Sequence, residues 1–479
     1  MVDQGQLGTE VHQFAHPLHL VSATVSVTQP YARNGGSMAR NGVPDNEGIV
    51  MLAWSDYVGL TRCRAVPGGQ LPQRLETGLG WAVAGQALTP FADIAPNPWG
   101  PMTEARQVPD PSTHTRVDIW PDAPAFDIVL CDSRNADGSD WDCCTRSFFR
   151  HALNDLRAET GLELLSAFEH EFALEGAIPA APPFSVEAVR VAADFMDDVA
   201  LALESAGLNP ETVEPEYGSR QYEVTVSPAL GVAGGDQAIL TREIIRECAR
   251  RRGLRATFTA KPYPDGVGNG AHVHFSFVDA TGANATYDPS HPSGASAVAR
   301  SFIAGVVRHM PAICALVAPS PFSYFRLGPH HWSCGYASFG IQNREAAIRI
   351  CPSTSKDPAM AARGFNLELR PPDATASPYM VLGALVRAGL EGIRAGLELP
   401  PACTVDPAEL SDAERSSMGI VALPSSLPEA LDTMLADDAV RAWLSPLMLE
   451  SYVAVKHMEH DLAASEAPEQ TCERYRNAY

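Results

Sequence analysis

The sequence lacks any apolar run long enough to cross a bilayer. The best candidate, residues 302–317, is interrupted by Arg308, His309 and Pro311 and falls short of the roughly 20 residues a spanning helix needs. No basic start followed by an apolar core opens the chain, so no secretory leader is expected. Basic residues are few: 35 Lys and Arg against 57 Asp and Glu give a net charge of −22. That balance repels phosphate backbones and anionic lipids, which makes nucleic acid and membrane surfaces poor partners. No pair among the ten cysteines has zinc-finger spacing, and Cys143 and Cys144 are adjacent. Reduced thiols in a cytoplasmic protein are therefore expected rather than a disulfide or zinc framework. Internal repeats and low-complexity blocks are absent too.

What is present is globular in texture, with 45% hydrophobic and 19% charged residues. A length of 479 residues calls for more than one core. Residues 1–47 read as an extension, because the stretch 31–48 is rich in Gly, Asn, Arg and Asp without apolar period. Strands are predicted at 49–54 and 62–66, followed by Pro- and Gly-rich connections to about residue 140, a small β-rich domain over 48–140. From 141 to 479 strands and helices interleave, as in one large catalytic domain. The strands expected there are 162–174, 221–226, 256–260, 271–277, 347–350 and 366–370. The helices are 148–156 ending near Gly161, 185–207, 235–252, 295–309, 378–393 and 427–435.

Side chains two apart on a strand share a face. Glu169 and Glu171 therefore lie together, as do His272, His274 and Ser276, and in Asn366-Leu367-Glu368-Leu369-Arg370 the polar residues alternate with leucines. Glu216 and Glu223 bracket a turn-like Tyr-Gly-Ser-Arg segment. Any one of these patterns alone is ordinarily a solvated strand face. Together, several carboxylates and one or two imidazoles on strands of one domain suit hard divalent cations, Mg2+ or Mn2+ rather than Zn2+, since no cysteine joins the set. Arg326, Arg344, Arg349 and Arg370 sit in apolar or mixed segments, and arginine forks match carboxylates and phosphates. Metals with arginines are the equipment of phosphoryl transfer.

These residues resemble the motifs of the glutamine synthetase superfamily. Glu169-His170-Glu171 resembles its E-x-E strand, the segment from Glu216 to Glu223 its paired-glutamate segment, and Asn269-Gly270-Ala271-His272-Val273-His274 its N-G…H-x-H loop and strand. Arg326-Leu327-Gly328-Pro329, the segment from Asn343 to Ile350 and that from Glu368 to Tyr379 resemble R-L-x-P, N-R-x-x-x-I-R-I and E-F-R-x-P-D. The resemblance covers residue 48 to the end. It implies an α+β protein with a β-grasp N-terminal domain and an α/β barrel-like catalytic domain, assembled as a homo-oligomer of stacked rings, commonly a dodecamer. It implies ATP as co-substrate and two or more Mg2+ or Mn2+ ions per site. One ion would fall to Glu171, Glu216 and Glu223, a second to Glu169, His272 and Glu368. Asn269, Gly270, Arg326 and Arg370 would hold glutamate. Arg344 and Arg349 would meet the transferred phosphate. Glu211, His274 and Ser276 would lie near the nucleotide.

The chain also departs from the family pattern. After R-L-x-P, glutamine synthetases continue Gly-Tyr-Glu, whose acid helps deprotonate ammonium; here His330-His331-Trp332 puts Trp332 at that position. The Asp-Gly-Ser-Ser ammonium motif has no counterpart, the comparable region reading Gly80-Trp81-Ala82-Val83-Ala84-Gly85. Asn366 stands where the family has a nucleotide-contacting arginine, and no adenylylation tyrosine motif follows the Pro-Tyr helix. The departures resemble γ-glutamylamide and γ-glutamylpolyamine synthetases, with Trp332 contacting an organic amine. Ammonia-using glutamine synthetase and a non-catalytic structural relative remain the alternatives.

Overall fold

A computed structural model describes residues 48–330, 332–352 and 355–479. The expected extension 1–47 and His331 lie outside the described residues. The first sheet contains β1 (Ile49–Ser55), β2 (Thr61–Pro67), β3 (Leu79–Ala82), β4 (Glu104–Pro109), β5 (Thr115–Val117) and β6 (Phe126–Arg134), in the order β2-β1-β6-β4-β3 with β5 on β6. β1 runs parallel to β6 and the other pairings are antiparallel. β1 and β6 are buried nearly throughout because they are central. β3 to β6 fall in the stretch read from sequence only as connections; β3 and β5 are too short to show a period.

The second sheet has nine strands. They are β7 (Glu163–Glu175), β8 (Pro210–Pro215), β9 (Gln221–Val226), β10 (Ala229–Leu230), β11 (Arg255–Thr257), β12 (Ala271–Val278), β14 (Phe339–Ile341), β15 (Ile348–Ile350) and β16 (Leu367–Leu369), while β13 (Tyr336–Ala337) pairs separately with β17 (Val421–Ala422). The order is β14-β15-β16-β12-β7-β9-β8, with β10 and β11 also on β7. The class is the α+β one expected. β7 alternates cleanly: Leu164, Phe168, His170 and Phe172 are buried on its back, leaving Glu169 and Glu171 on its front.

Helix Thr145–Thr160 starts where the Cys144 thiol accepts from Ser147 N and ends at left-handed Gly161, as the apolar stripe predicted. The helix expected over 185–207 is broken at Ala192 into Val186–Val191 and Ala193–Ser205. The apolar segment around Pro311 belongs to a longer helix than the sequence suggested, Ala297–Val317, with Pro311 inside it. By length and composition alone this helix could cross a membrane, which corrects the reading that the segment is too short; it is mostly buried. It packs so closely on helix Pro378–Arg394 that a Cβ on Gly305 would stand 2.3 Å from Ala388 O, and one on Gly392 2.0 Å from Ser301 O. That backbone contact explains why both crossing points are glycine.

Arg146 ties the first sheet to the helices of the second. It is buried and donates to Asp236 at 2.9 and 2.8 Å, to Asp132 at 2.9 Å and to Asp110 at 2.9 Å.

Candidate active site

Strand register sets the site. Across β7, Glu169 faces His272 of β12, and Glu171 faces Glu223 of β9, which in turn faces Glu214 of β8. Glu216 follows β8, in a turn closed by its own N–H to Gln221 O at 2.8 Å. These side chains line a cavity of about 730 Å3 together with Arg326, Trp332, Arg344, Arg349 and Arg370. Ten of the residues singled out from sequence thus share one wall.

The carboxylates are crowded. Burial, and then the charges of Glu169, Glu171 and Glu216, push Glu223 well above the usual carboxylate range. Burial and Glu171 push Glu216 up to about 7. Burial would raise Glu171 as well, but His272, Arg326 and the Gly270 N–H outweigh it and hold it low. Acids brought together in this way favour a bound proton or cation. The donor set, oxygen with one imidazole, fits Mg2+ or Mn2+. His272 is oriented for it: Nδ1 lies 3.0 Å from Arg370 O, a carbonyl that can only accept, so Nδ1 carries the proton and Nε2 keeps its lone pair. Nε2 is 3.3 Å from Glu171 Oε1.

Glu368 sits deeper. It is fully buried and accepts from Arg349 Nε and Arg370 Nη1. Burial alone would raise it, but Arg370, His272, His274 and Arg349 bring it down to about 2. Arg326 is buried and donates to Pro371 O at 2.8 Å and Arg370 O at 3.1 Å. Arg344 is exposed on the cavity wall.

Several expected contacts fall elsewhere. Asn269 does not face the cavity. It is buried in the wall, donating to Thr259 O at 3.0 Å and accepting from Gln221 at 2.9 Å. The loop surface toward the cavity is Gly266, Val267 and Gly268. Gly270 serves through its N–H, which donates to Glu171 Oε2 at 2.8 Å. Glu211 is exposed on edge strand β8, accepting from Ser227 Oγ at 3.0 Å. Ser276 and His274 continue the front of β12 past the cavity. At roughly 3.3 Å per residue, Ser276 is about 13 Å along the strand from His272, so the structure does not bring Glu211 or Ser276 to this cavity. His274 Nε2 lies 2.9 Å from Glu169 Oε1; burial opposes its charge, yet Cys351 and Glu169 hold its pKa well above the usual imidazole value. Burial would raise Glu169, but that same hydrogen bond and the charge of His274 hold it on the low side.

Sequence reasoning missed Glu214, Lys261, Gln221 and the rim aromatics Phe184 and Tyr217, all of which line the cavity. Glu214 was readable, since it is a further acid two positions before Glu216. Gln221 bonds Glu171, Gly268 O and Asn269, so it joins strand to loop. Phe184 and Tyr217 are 59% and 63% exposed with ring centroids 6.4 Å apart. The Trp332 ring is 62% exposed, and the backbone around it is left-handed at His330, Trp332 and Cys334, with φ of 65°, 56° and 65°.

Comparison with known proteins agrees with this geometry. Residues 142–475 match the glutamine synthetase catalytic domain and residues 43–141 the glutamine synthetase N-terminal domain. The chain is 31% identical over 418 residues to γ-glutamylpolyamine synthetase GlnA3 of Streptomyces coelicolor, covering 85% of this chain and 88% of that protein. It is 30% identical over 364 residues to glutamine synthetase of Methanocaldococcus jannaschii, covering 74% and 78%. A crystal structure described as a novel glutamine synthase homolog superposes with a TM-score of 0.83 at 40% identity, covering 93% of this chain and all of that one.

Proposed function

Because the chain belongs to the glutamine synthetase family, whose members are ATP-dependent carbon–nitrogen ligases, we propose that it joins the γ-carboxylate of glutamate to an organic amine. The observation that carries the amine is the makeup of the cavity. Its inner wall holds acids and arginines, whereas Phe184, Tyr217, Val267 and Trp332 supply apolar surface. Ammonium, small and strongly hydrated, gains nothing from such a rim; an alkyl-, poly- or arylamine buries its carbon against it.

A carboxylate is a poor electrophile, so the γ-phosphate of ATP passes to glutamate, leaving ADP and γ-glutamyl phosphate, and the amine attacks that carbonyl, expelling phosphate and giving up a proton to form the amide. Glu171, Glu216 and Glu223 would hold one divalent ion, and Glu169, His272 and Glu368 a second. Mg2+ or Mn2+ held by these residues would supply charge neutralisation to the transferring phosphate. Arg344 and Arg349 stabilise the transferring phosphoryl group through charge. Arg326, tied to the carbonyls of Pro371 and Arg370, and Arg370, tied to that of Trp332, shape the glutamate pocket, and Gly270 holds Glu171. Glu214, the outermost acid of the row Glu171–Glu223–Glu214 on edge strand β8, meets the incoming ammonium group. The Streptomyces relative's name supports an organic amine, and the Methanocaldococcus relative's name supports ammonia as the competing reading. A cytoplasmic homo-oligomer of stacked rings is the assembly that goes with this family.

The test is phosphate release from ATP with Mg2+ and glutamate, comparing ammonium with a panel of alkyl-, poly- and arylamines. Turnover with an organic amine, with the γ-glutamylamide identified by mass, establishes the reading. Turnover best with ammonium replaces it by glutamine synthesis, and absence of ATP turnover with every amine favours a structural relative.

A further inference from the structure

We propose that His274, Cys351 and Glu368 form a site for a thiophilic divalent ion, Zn2+ in particular, whose occupancy competes with the metal set that shares Glu368. The competition rests on the reading above; the binding itself does not.

Three unlike donors converge beside the end of β15. Cys351 Sγ is 3.6 Å from His274 Nδ1 and 3.9 Å from Glu368 Oε2, and His274 Nε2 is 4.0 Å from Glu368 Oε1. One donor atom from each residue falls within 4.8 Å of the others. In a tetrahedral zinc site, with bonds of about 2.0–2.3 Å, neighbouring donor atoms stand about 3.3–3.7 Å apart. The cluster is thus within about an ångström of a coordinating arrangement before any side chain turns.

The surroundings fit that use. His274 Nε2 lies 2.9 Å from the Glu169 carboxylate and Nδ1 2.9 Å from Asn366 Oδ1, so both ring nitrogens face acceptors in the metal-free protein; the ion would displace the Nδ1 proton and leave Nε2–H on Glu169, the usual carboxylate–histidine–metal relay. Asn366 Oδ1, 2.9 Å from Nδ1, supplies a further oxygen beside the fourth position. Asn366 is where the sequence departs from the arginine of its family pattern; a guanidinium there would repel a cation, and a neutral amide does not. Arg349 and Arg370 each bond one oxygen of Glu368, but a carboxylate offers about four lone-pair directions, so both oxygens retain one. Glu368 is fully buried and Cys351 nearly so. A thiolate among the donors selects Zn2+ over Mg2+.

Titration of the metal-free protein with Co2+ tests the site directly. One ion per chain should give a sulfur-to-cobalt charge-transfer band in the near ultraviolet, bleached by Zn2+. Cys351→Ser should abolish it and Cys63→Ser should retain it, both variants being checked for native melting. X-ray absorption on the zinc-loaded wild type gives a second reading that needs no variant: one sulfur at about 2.3 Å with lighter donors is expected. Zn2+ should also inhibit Mg2+-supported turnover, and Cys351→Ser should need at least about tenfold more for the same inhibition. A wild type without the band, a band unchanged in Cys351→Ser, or a zinc shell of nitrogen and oxygen only overturns the proposal. Because the cobalt band does not depend on turnover, a failed ligase assay and a failed metal site are distinguishable.

Discussion

The main-chain N–H of Trp332 donates to the carboxylate of Glu345 at 3.0 Å. On its other side the Trp332 carbonyl accepts from Arg370 at 2.6 Å. The backbone is therefore clamped between an acid and an arginine while the ring stays free in the cavity, a rigid platform for a ligand rather than a piece of core.

Trp332→Gly separates ring from backbone. At φ 56° a glycine is at ease where tryptophan is strained, so the melting temperature should not fall. Loss of the aromatic face should raise KM for an organic amine about 2- to 30-fold, the range for about 0.5–2 kcal/mol of cation–π contact. KM for ATP should hold. Steady-state kinetics with the preferred amine decides it; an unchanged amine KM removes Trp332 from the amine subsite.

The strands that carry the carboxylates were legible because period-2 alternation survives in them: Glu169 and Glu171 on β7, and His272 and His274 on β12, show it plainly. Long-range contacts were not. Nothing local says that Asn269 turns into the wall to bond Thr259 O, nor that Val267 takes the surface instead, because both follow from where β11 ends against the loop. Phe184 and Tyr217 meet across 33 positions of chain only through the fold, so neither carries a sequence signal. Pro311 gave a misleading one. Its missing N–H ordinarily ends a helix, yet burial against helix Pro378–Arg394 carries Ala297–Val317 through it.

Removing the divalent ion should expose the strain among the acids. Glu216, raised to about 7, binds a proton in competition with a metal, and so does Glu223, raised by the same crowding. A carboxyl whose folded pKa is raised stabilises the fold below its unfolded value near 4.5, and that contribution is lost as pH rises through 7. The metal-free protein should therefore lose melting temperature between pH 6 and 8, and Mg2+ or Mn2+ should restore more at pH 8 than at pH 6. Calorimetric titration should show tighter metal binding at pH 8, and Glu223→Gln should weaken it. Affinity that is flat across this range would contradict the crowding.

Arg146→Met should destabilise by about 3–5 kcal/mol, since it leaves Asp236 buried without its cation and Asp132 with only its partly exposed partners Arg134 and Arg150. Burial alone would raise Asp132, but Arg146 and Arg150 hold it below its ordinary value, and Ser112 with Arg146 does the same for Asp110. Depressed acids contribute stability above their unfolded pKa near 4 and lose it as pH falls through the folded one. The gap between wild type and variant, read by urea unfolding, should be full at pH 7 and shrink below pH 4. A gap independent of pH would mean that Arg146 acts by packing alone.

Gly270→Ala tests whether the loop holds the metal ligands in place. A Cβ there would stand 2.8 Å from Arg326 Nη2 and 2.9 Å from His272 Cε1. Arg326 cannot yield, because its guanidinium is pinned to Pro371 O and Arg370 O, so His272 must shift and the Gly270 N–H to Glu171 must bend with it. Both displaced groups are candidate ligands, and misplacing such groups weakens metal binding by about 10- to 100-fold. Gly364→Ala is the matched control, since a Cβ at Gly364 meets nothing within 4 Å. Metal titration of both variants, alongside circular dichroism to confirm the fold, should show loss in Gly270→Ala and wild-type affinity in Gly364→Ala. Equal affinity in both would place the metal ligands outside the reach of this loop.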